Sequence, residues 1–332
     1  MVNPLHRTKE IIAIMIAVWL CGVHLAEARS WKIVKVNDRE YVTDSNIRSF
    51  YGFANVMAKG NERFFQDSKV SMRWKAGSQE MFINNTKLSL SFPVIQSGGT
   101  TMVSTVDLAK LIDPLIRPSY IRKPIVFDTV IIDPGHGGHD SGAIGKYGKE
   151  KNYTLDTALR LEQILLKNGL KTILTRRSDV YISLGQRVNF ANQQKKAIFV
   201  SLHYNHATPS AKGLETFALA PQGTTPTHGG SSYWSSPLKG NERDAENIAL
   251  AAAVHAQVIY DQNAYKLSPV DRGIKRARYN VLRGINKPAM LFEGGFVSNS
   301  SEGKLINDPN HRQRLAQSIA TGILRFRSAV GK

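Results

Sequence analysis

Cysteine is almost absent. The 332-residue chain holds one, Cys21, inside an N-terminal apolar run. Everything after that run therefore lacks the thiol for a disulfide, a cysteine-ligated zinc site or a cysteine nucleophile. Long hydrophobic runs are just as scarce. Beyond Ile11 to Val23, no stretch approaches the roughly 20 residues that cross a bilayer. Neither H-E-x-x-H nor G-x-S-x-G occurs. Gly135 to Gly142 lacks the spacing of a dinucleotide turn, and Gly142-Ala-Ile-Gly145-Lys146 is not a phosphate-binding loop. The 26 Gly and 13 Pro show no period, which excludes collagen-like and low-complexity classes. Acidic residues are in deficit, 26 against 44 Lys and Arg, for a formal charge of +18. Such a balance suits nucleic acid, an anionic membrane or an anionic cell wall, or is simply a solvated basic surface. With no reading element and no aromatics interleaved among the basic residues, nucleic acid is not expected as a partner.

What is present is ordinary globular material. At 42% hydrophobic residues, a chain of this length carries a sizeable core and about two domains. Residues 1–28 read as a secretory signal peptide. His6-Arg7-Thr8-Lys9 is the basic start, Ile11 to Val23 the apolar run, and Ala26-Glu27-Ala28 an A-x-A cleavage site. The run is short for a membrane span, and an uncleaved anchor is the alternative. Export to the periplasm or the cell wall and exterior is the expectation.

Residues 29–122 read as a small β-rich α+β module. Strands are expected around a turn at Asn37-Asp38, over Val70 to Trp74, Met81 to Ile83 and Leu88 to Phe92. The pairs Asn84-Asn85 and Gly98-Gly99 sit at hairpin positions. Asp44 or Ser45 is expected to cap one helix and Ser104 another. Tyr41-Val42-Thr43 before the first rhymes with Met102-Val103-Ser104 before the second, which suggests a duplicated strand–helix unit. No convergent His, Asp or Glu set appears here, so the module reads as non-catalytic. It is faintly similar to the small domain beside copper amine oxidases, which implies a stalk or docking role toward wall or protein, without copper. Pro114, Pro118 and Pro124 mark the expected linker.

From residue 123 the pattern alternates strand and helix. Strands are expected over Thr129 to Ile132, Lys171 to Leu174, Ala197 to Leu202, Leu214 to Leu219 and Ala289 to Phe292. Helices fall over Glu150 to Lys167, Ser183 to Gln194, Glu242 to Tyr260 and Asn310 to Phe326. This predicts an α/β fold, an open mixed sheet covered by helices on both faces. In such a sheet the ligand crevice lies at the carboxyl ends of the strands.

Four segments bring chemistry to that edge. One strand runs into Asp133-Pro-Gly-His136-Gly-Gly138, and Glu150 opens the helix after the next loop. A second strand ends in His203, and a third in Glu293 before Gly294-Gly295. Two histidines and two glutamates suit a catalytic zinc site, with three N/O ligands and a fourth acidic group as general base and acid. Taken singly, each has a bland role: a strand-end histidine bonded to a carbonyl, a helix N-terminal carboxylate, a charge paired with arginine. Asp133 is expected to orient a ligand histidine. His206, His139, His228, His255 and His311 show no comparable placement.

Ile132-Asp-Pro-Gly-His-Gly-Gly-His-Asp-Ser-Gly142, Lys149-Glu-Lys-Asn-Tyr-Thr-Leu155, Ser201-Leu-His-Tyr-Asn205 and Glu293-Gly-Gly-Phe-Val-Ser-Asn299 occur in order. Asp271-Arg-Gly-Ile-Lys275 and Tyr279-Asn-Val-Leu-Arg283 lie between the last two. Together they resemble the zinc-dependent N-acetylmuramoyl-L-alanine amidases, cell-wall hydrolases of the amidase-3 type, over residues 127–328. The resemblance implies Zn2+ held by His136, Glu150 and His203, with Glu293 as general base and acid. It also implies peptidoglycan as substrate, cut between N-acetylmuramic acid and L-alanine; the alternatives are a wall-binding protein that has lost catalysis and a zinc deacylase of another amide. Two departures stand out. Tyr204 occupies a position where many members carry alanine, and is read as a cleft-lining or surface aromatic. The stretch Ala220–Glu242, with Tyr233-Trp234 in its middle, reads as a flap over the cleft or a passive loop, since Gly229-Gly230 and Pro237 disfavour a long helix.

Overall fold

The computed structural model describes residues 31–228 and 236–331. The segment expected to be a signal peptide, and Tyr233-Trp234, lie outside the described residues.

The duplicated unit is real. The hairpin Ile33–Val36 with Arg39–Thr43 turns at Asn37-Asp38, and the hairpin Ile95–Ser97 with Thr100–Ser104 turns at Gly98-Gly99. All four turn residues have positive φ, as two-residue hairpin turns require. The inner strands pair antiparallel, Val42 opposite Val103, so the two hairpins form one four-stranded sheet related by a local two-fold. Each inner strand leads into a helix through its last hydroxyl. Thr43, rather than Asp44 or Ser45, caps Asp44–Tyr51, and Ser104 caps Thr105–Asp107. Between the hairpins runs a five-stranded antiparallel meander: Asn55–Lys59, Glu62–Gln66, Ser71–Lys75, Glu80–Ile83 and Thr86–Ser89. Its inner face carries Phe65, Met72, Trp74, Met81, Ile83 and Leu88. The first two strands escape sequence reading: Asn55–Lys59 is an edge strand with no buried residue, and Glu62–Gln66 buries only Arg63 and Phe65.

The second half is the expected mixed sheet. Lys171–Leu174, Thr129–Pro134, Ala197–Asn205 and Ala289–Phe296 run parallel. Leu214–Leu219 joins Ala289–Phe296 antiparallel, and Asp271–Ala277 follows parallel to it. Both faces are covered. Val130, Ile132, Val200 and Phe292 pack with Leu161, Val254 and Ile319 of helices Glu150–Lys167, Asp244–Ala264 and Pro309–Val330. Ile131, Phe199, Phe217 and Leu291 pack with Ala191, Val281 and Leu282 of helices Leu184–Gln193 and Asn280–Gly284. Ser183 closes a capping box with Gln186 at the start of Leu184–Gln193.

The two halves share one sheet. Leu88 of the meander's last strand pairs in parallel with Ile274, giving eleven continuous strands. Beneath the junction, the fully buried Arg276 donates to the Lys110 carbonyl at 2.7 Å, and Lys110 pairs with Asp244 at 3.4 Å. The proline-punctuated stretch is folded too. Asp113–Ile116 is a helical turn, Tyr51 donates to Asp113 at 2.8 Å, and the Ile125 amide donates to Glu246 at 2.7 Å. Among the described residues, no helix is long and apolar enough to cross a membrane.

Candidate metal and catalytic centre

The strand Thr129–Pro134 is buried along its whole length and delivers a tight turn to the carboxyl edge of the sheet. His136 sits in that turn with φ of 61°, a left-handed conformation that costs a non-glycine residue about 1–2 kcal/mol. Two guanidiniums hold it. Arg187 donates to Asp133 at 2.6 Å and to the carbonyls of Pro134 and His136 at 2.7 Å each. Arg176 donates to the Pro134 carbonyl at 3.0 Å and the Gly135 carbonyl at 2.8 Å. Gly135 leaves room that no other residue would. A Cβ there would lie 2.3 Å from Cε1 of His203.

Glu150 is the hub. It opens the helix Glu150–Lys167, is 4% exposed, and has both oxygens fixed by backbone. The Ala143 amide donates to Oε2 at 2.8 Å and the Tyr204 amide to Oε1 at 3.0 Å. On its open side, His136 Nε2 lies 3.1 Å from Oε2 and His203 Nδ1 2.9 Å from Oε1. One ligand atom from each of the three residues falls within 4.8 Å of the others. Burial opposes ionisation of Glu150, but the two imidazoles outweigh it and hold its pKa far below the usual carboxylate range. For His136, burial disfavours the charged form, yet Glu150 and Asp140 prevail and its pKa is raised.

Glu293 lies beside this trio. Its backbone pairs with His203 on one side and with Glu215 on the other. Glu293 is half-buried, and its Oε2, shielded from solvent, has no hydrogen-bond partner among the described residues. Burial first, then the nearby charges of Glu150 and Glu215, push its pKa well above the ordinary value. Glu215 is the opposite case. Burial is outweighed by Lys275 and Arg272, which donate to its carboxylate and keep its pKa low. Adjacent carboxyls with pKa values driven apart make a proton donor or acceptor beside fixed charges.

A family profile described as N-acetylmuramoyl-L-alanine amidase matches residues 130–325, more than half of the chain. The chain belongs to that family. N-acetylmuramoyl-L-alanine amidase AmiA of Escherichia coli is 32% identical over 59% of this chain and 75% of its own length. An uncharacterized cell wall amidase of Bacillus anthracis is 36% identical over 60% of this chain, which spans only 35% of that longer protein. Among solved structures, the catalytic domain of the amidase CwlV from Bacillus (Paenibacillus) polymyxa matches with 31% identity and a TM-score of 0.50. That match covers 61% of this chain and 99% of the solved one.

Within this amidase domain the structure corrects several sequence readings. Asp133 does not orient a histidine. It accepts from Arg187, from Thr175 at 2.6 Å and from Ser201 at 2.8 Å, and so anchors the turn from below. The carboxylate on His136 is Asp140, 2.9 Å from Nδ1, which also accepts the Gly142 amide. Tyr204 neither lines a cleft nor reaches the surface. It is buried, with its hydroxyl 2.7 Å from Thr157 on the helix beneath. His203 and Glu293 are not the last residues of their strands, which run on to Asn205 and Phe296. His255, though remote from this centre, is buried between Thr216 and Asp271 at 2.9 Å from each. The flanks of the Ala220–Glu242 stretch are tied down, with the Thr227 amide donating to the Arg276 carbonyl at 2.9 Å.

Proposed function

We propose that this chain is an exported N-acetylmuramoyl-L-alanine amidase, with His136, Glu150 and His203 holding zinc and Glu293 acting as general base and acid. The observation that carries the reading is the convergence of the three ligand atoms beside Glu293, whose solvent-shielded Oε2 has no hydrogen-bond partner among the described residues. Two imidazoles and one carboxylate are a donor set that zinc favours in hydrolytic sites. Bound there, zinc would supply Lewis acidity toward the substrate carbonyl and lower the pKa of water.

The protein's own groups do the rest. Asp140 fixes the ring of His136 through Nδ1, so that Nε2 faces Glu150. The backbone amides of Ala143 and Tyr204 hold Glu150 in one orientation. Glu293 takes a proton from the attacking water and returns it to the leaving nitrogen, as the lactyl carbon gains its C–O bond and loses its C–N bond. A raised pKa suits the second role, because the carboxyl must give its proton back. Residues 1–28 act as the export signal, 29–122 as a non-catalytic module and 123–332 as the catalytic domain. Support for the substrate comes from the family and its curated relatives.

The test uses purified protein and isolated peptidoglycan, with zinc and then with chelator. Mass spectrometry should find free stem peptides beginning at L-alanine alongside peptide-free glycan of unchanged length, in the zinc sample alone. Shortened glycan, or no release by zinc-loaded protein, would refute the assignment.

A further inference from the structure

One register row crosses the shared sheet from the catalytic centre to the far edge of the N-terminal module. His203 pairs with Glu293, Glu293 with Glu215, and Glu215 with Gly273. Leu88 opposite Ile274 places Lys87 beside Gly273. The contact is close. Gly273 has φ of 80°, and a Cβ on it would come 2.8 Å from Cγ of Lys87. The row continues from Lys87 to Phe82, Arg73, Phe64 and Met57. Residues paired across neighbouring strands share a face, so all of these side chains lie on the face that bears Glu293.

The outer part of this face is not what a solvated sheet surface needs. Alternation would place polar residues there, yet it carries Phe64, Phe82 and Met57, the last 65% exposed. The guanidinium of Arg73 lies 3.7 Å over the ring of Phe82. Shallow hollows of about 210 and 150 Å3 flank Arg73, both walled by Phe64 and Phe82. The first is rimmed by the amides of Asn55, Gln66 and Asn85, the second by Glu62, Lys75 and Glu80. Arg272, bonded to Glu215, lies between there and the centre, and the ammonium of Lys87 pairs with Glu80.

Building on the proposed function, we infer that this face of residues 55–87 is a second contact surface for the peptidoglycan polymer, continuous with the catalytic centre. Planar apolar faces at Phe64, Phe82 and the Arg73 guanidinium suit the C–H faces of amino sugars, and the side amides suit their hydroxyl and acetamido groups. Arg73 and Lys75 suit the carboxylates of stem peptides. At about 4.8 Å per strand, Phe82 lies about 19 Å along the row from Glu293 and Phe64 about 29 Å. With a twist of about 20–25° per strand, the face has turned by roughly a right angle at Phe82. The surface therefore meets polymer beyond the bond being cut, and not the scissile amide itself.

The experiment compares the full chain with its Arg73→Glu and Phe64→Ala/Phe82→Ala variants, each also carrying Glu293→Gln to stop turnover. Co-sedimentation with isolated peptidoglycan sacculi should show binding about tenfold weaker in both, as for loss of an interface anchor. In the Glu293 background, the rate on sacculi divided by that on soluble N-acetylmuramoyl-dipeptide should fall by a similar factor. Phe82→Trp should retain binding, whereas a merely structural role would leave the rate ratio unmoved. Sacculus binding and rate ratio both within twofold of the parent would overturn the inference. Absence of hydrolysis by the zinc-loaded parent would instead refute the proposed function, while the binding comparison still decides this one.

Discussion

Replacing Glu293 with glutamine separates the chemistry from the fold, because the same burial that suits the carboxyl to proton transfer makes it costly to ionise. Its Oε2 lacks a partner among the described residues, and Glu150 and Glu215 repel its charge. Below the ordinary glutamate pKa of about 4.3 the carboxyl is neutral in both the folded and the unfolded chain. As pH rises above that, the unfolded chain releases its proton while the folded chain keeps it. The parent then loses stability at up to about 1.4 kcal/mol per pH unit until the raised folded pKa is reached. Glutamine does not titrate and the other ionisable groups are common to both proteins, so the difference isolates residue 293. At about 2–4 °C per kcal/mol for a domain of some 200 residues, the variant's Tm should gain about 3–6 °C on the parent per pH unit. Calorimetry of both proteins in chelator, from pH 4.5 to 8.5, reads this directly. Parallel Tm curves would refute the reasoning, and so would a gap that narrows with pH. The same substitution should abolish amide hydrolysis when zinc is restored.

Two further perturbations test the supports of the centre. Asp140→Asn weakens the hold on Nδ1 of His136 and should lower zinc affinity about 10–100-fold, read by competition with a chromogenic chelator; unchanged affinity would show that the ring is oriented by packing alone. Arg187→Met leaves the carboxylate of Asp133, 1% exposed, without its cation, and should cost about 3–5 kcal/mol, seen as a Tm drop of about 6 °C or more. A Tm within 2 °C of the parent would mean that Thr175 and Ser201 suffice to hold Asp133.

The four residues at the centre are legible because each follows an apolar strand core or opens a helix that periodicity can locate, although the strands bearing His203 and Glu293 run on past them. His136 follows a buried apolar strand, Glu150 opens an amphipathic helix, and His203 and Glu293 follow runs of four to six apolar or small residues. Their supports were not legible. Asp140, Arg176, Arg187 and Glu215 act through side-chain direction in three dimensions, and nothing in their local pattern separates them from other polar residues on turns, helices and strands. Asp133 misleads for the same reason. It precedes the histidine turn, but its side chain points down to Arg187 and Ser201. The duplicated hairpins could be heard in the rhyme of Tyr41-Val42-Thr43 with Met102-Val103-Ser104. The joining of the two sheets could not, because it rests on one parallel pairing between Leu88 and Ile274.

That joining changes how the net charge of +18 should be understood. Part of the basic excess never reaches solvent. Arg63, Arg176, Arg187 and Arg276 are all buried, and they satisfy carbonyls and carboxylates at the hairpin, the histidine turn and the junction between halves. A guanidinium suits these places because it offers several donors in a fixed fork. The cations left on the face of the sheet, Arg73, Lys75 and Lys87, are carried by strands hydrogen-bonded in series to the one that carries Glu293. Their distance from Glu293 is set by strand spacing and not by a tether. A flexible linker would let a docking module raise the local concentration of enzyme at the wall without choosing which bond is presented. Under the proposed roles, a shared sheet would fix the offset between polymer contact and the Glu293 carboxyl, and so would couple binding on the module to a particular placement of substrate at the centre.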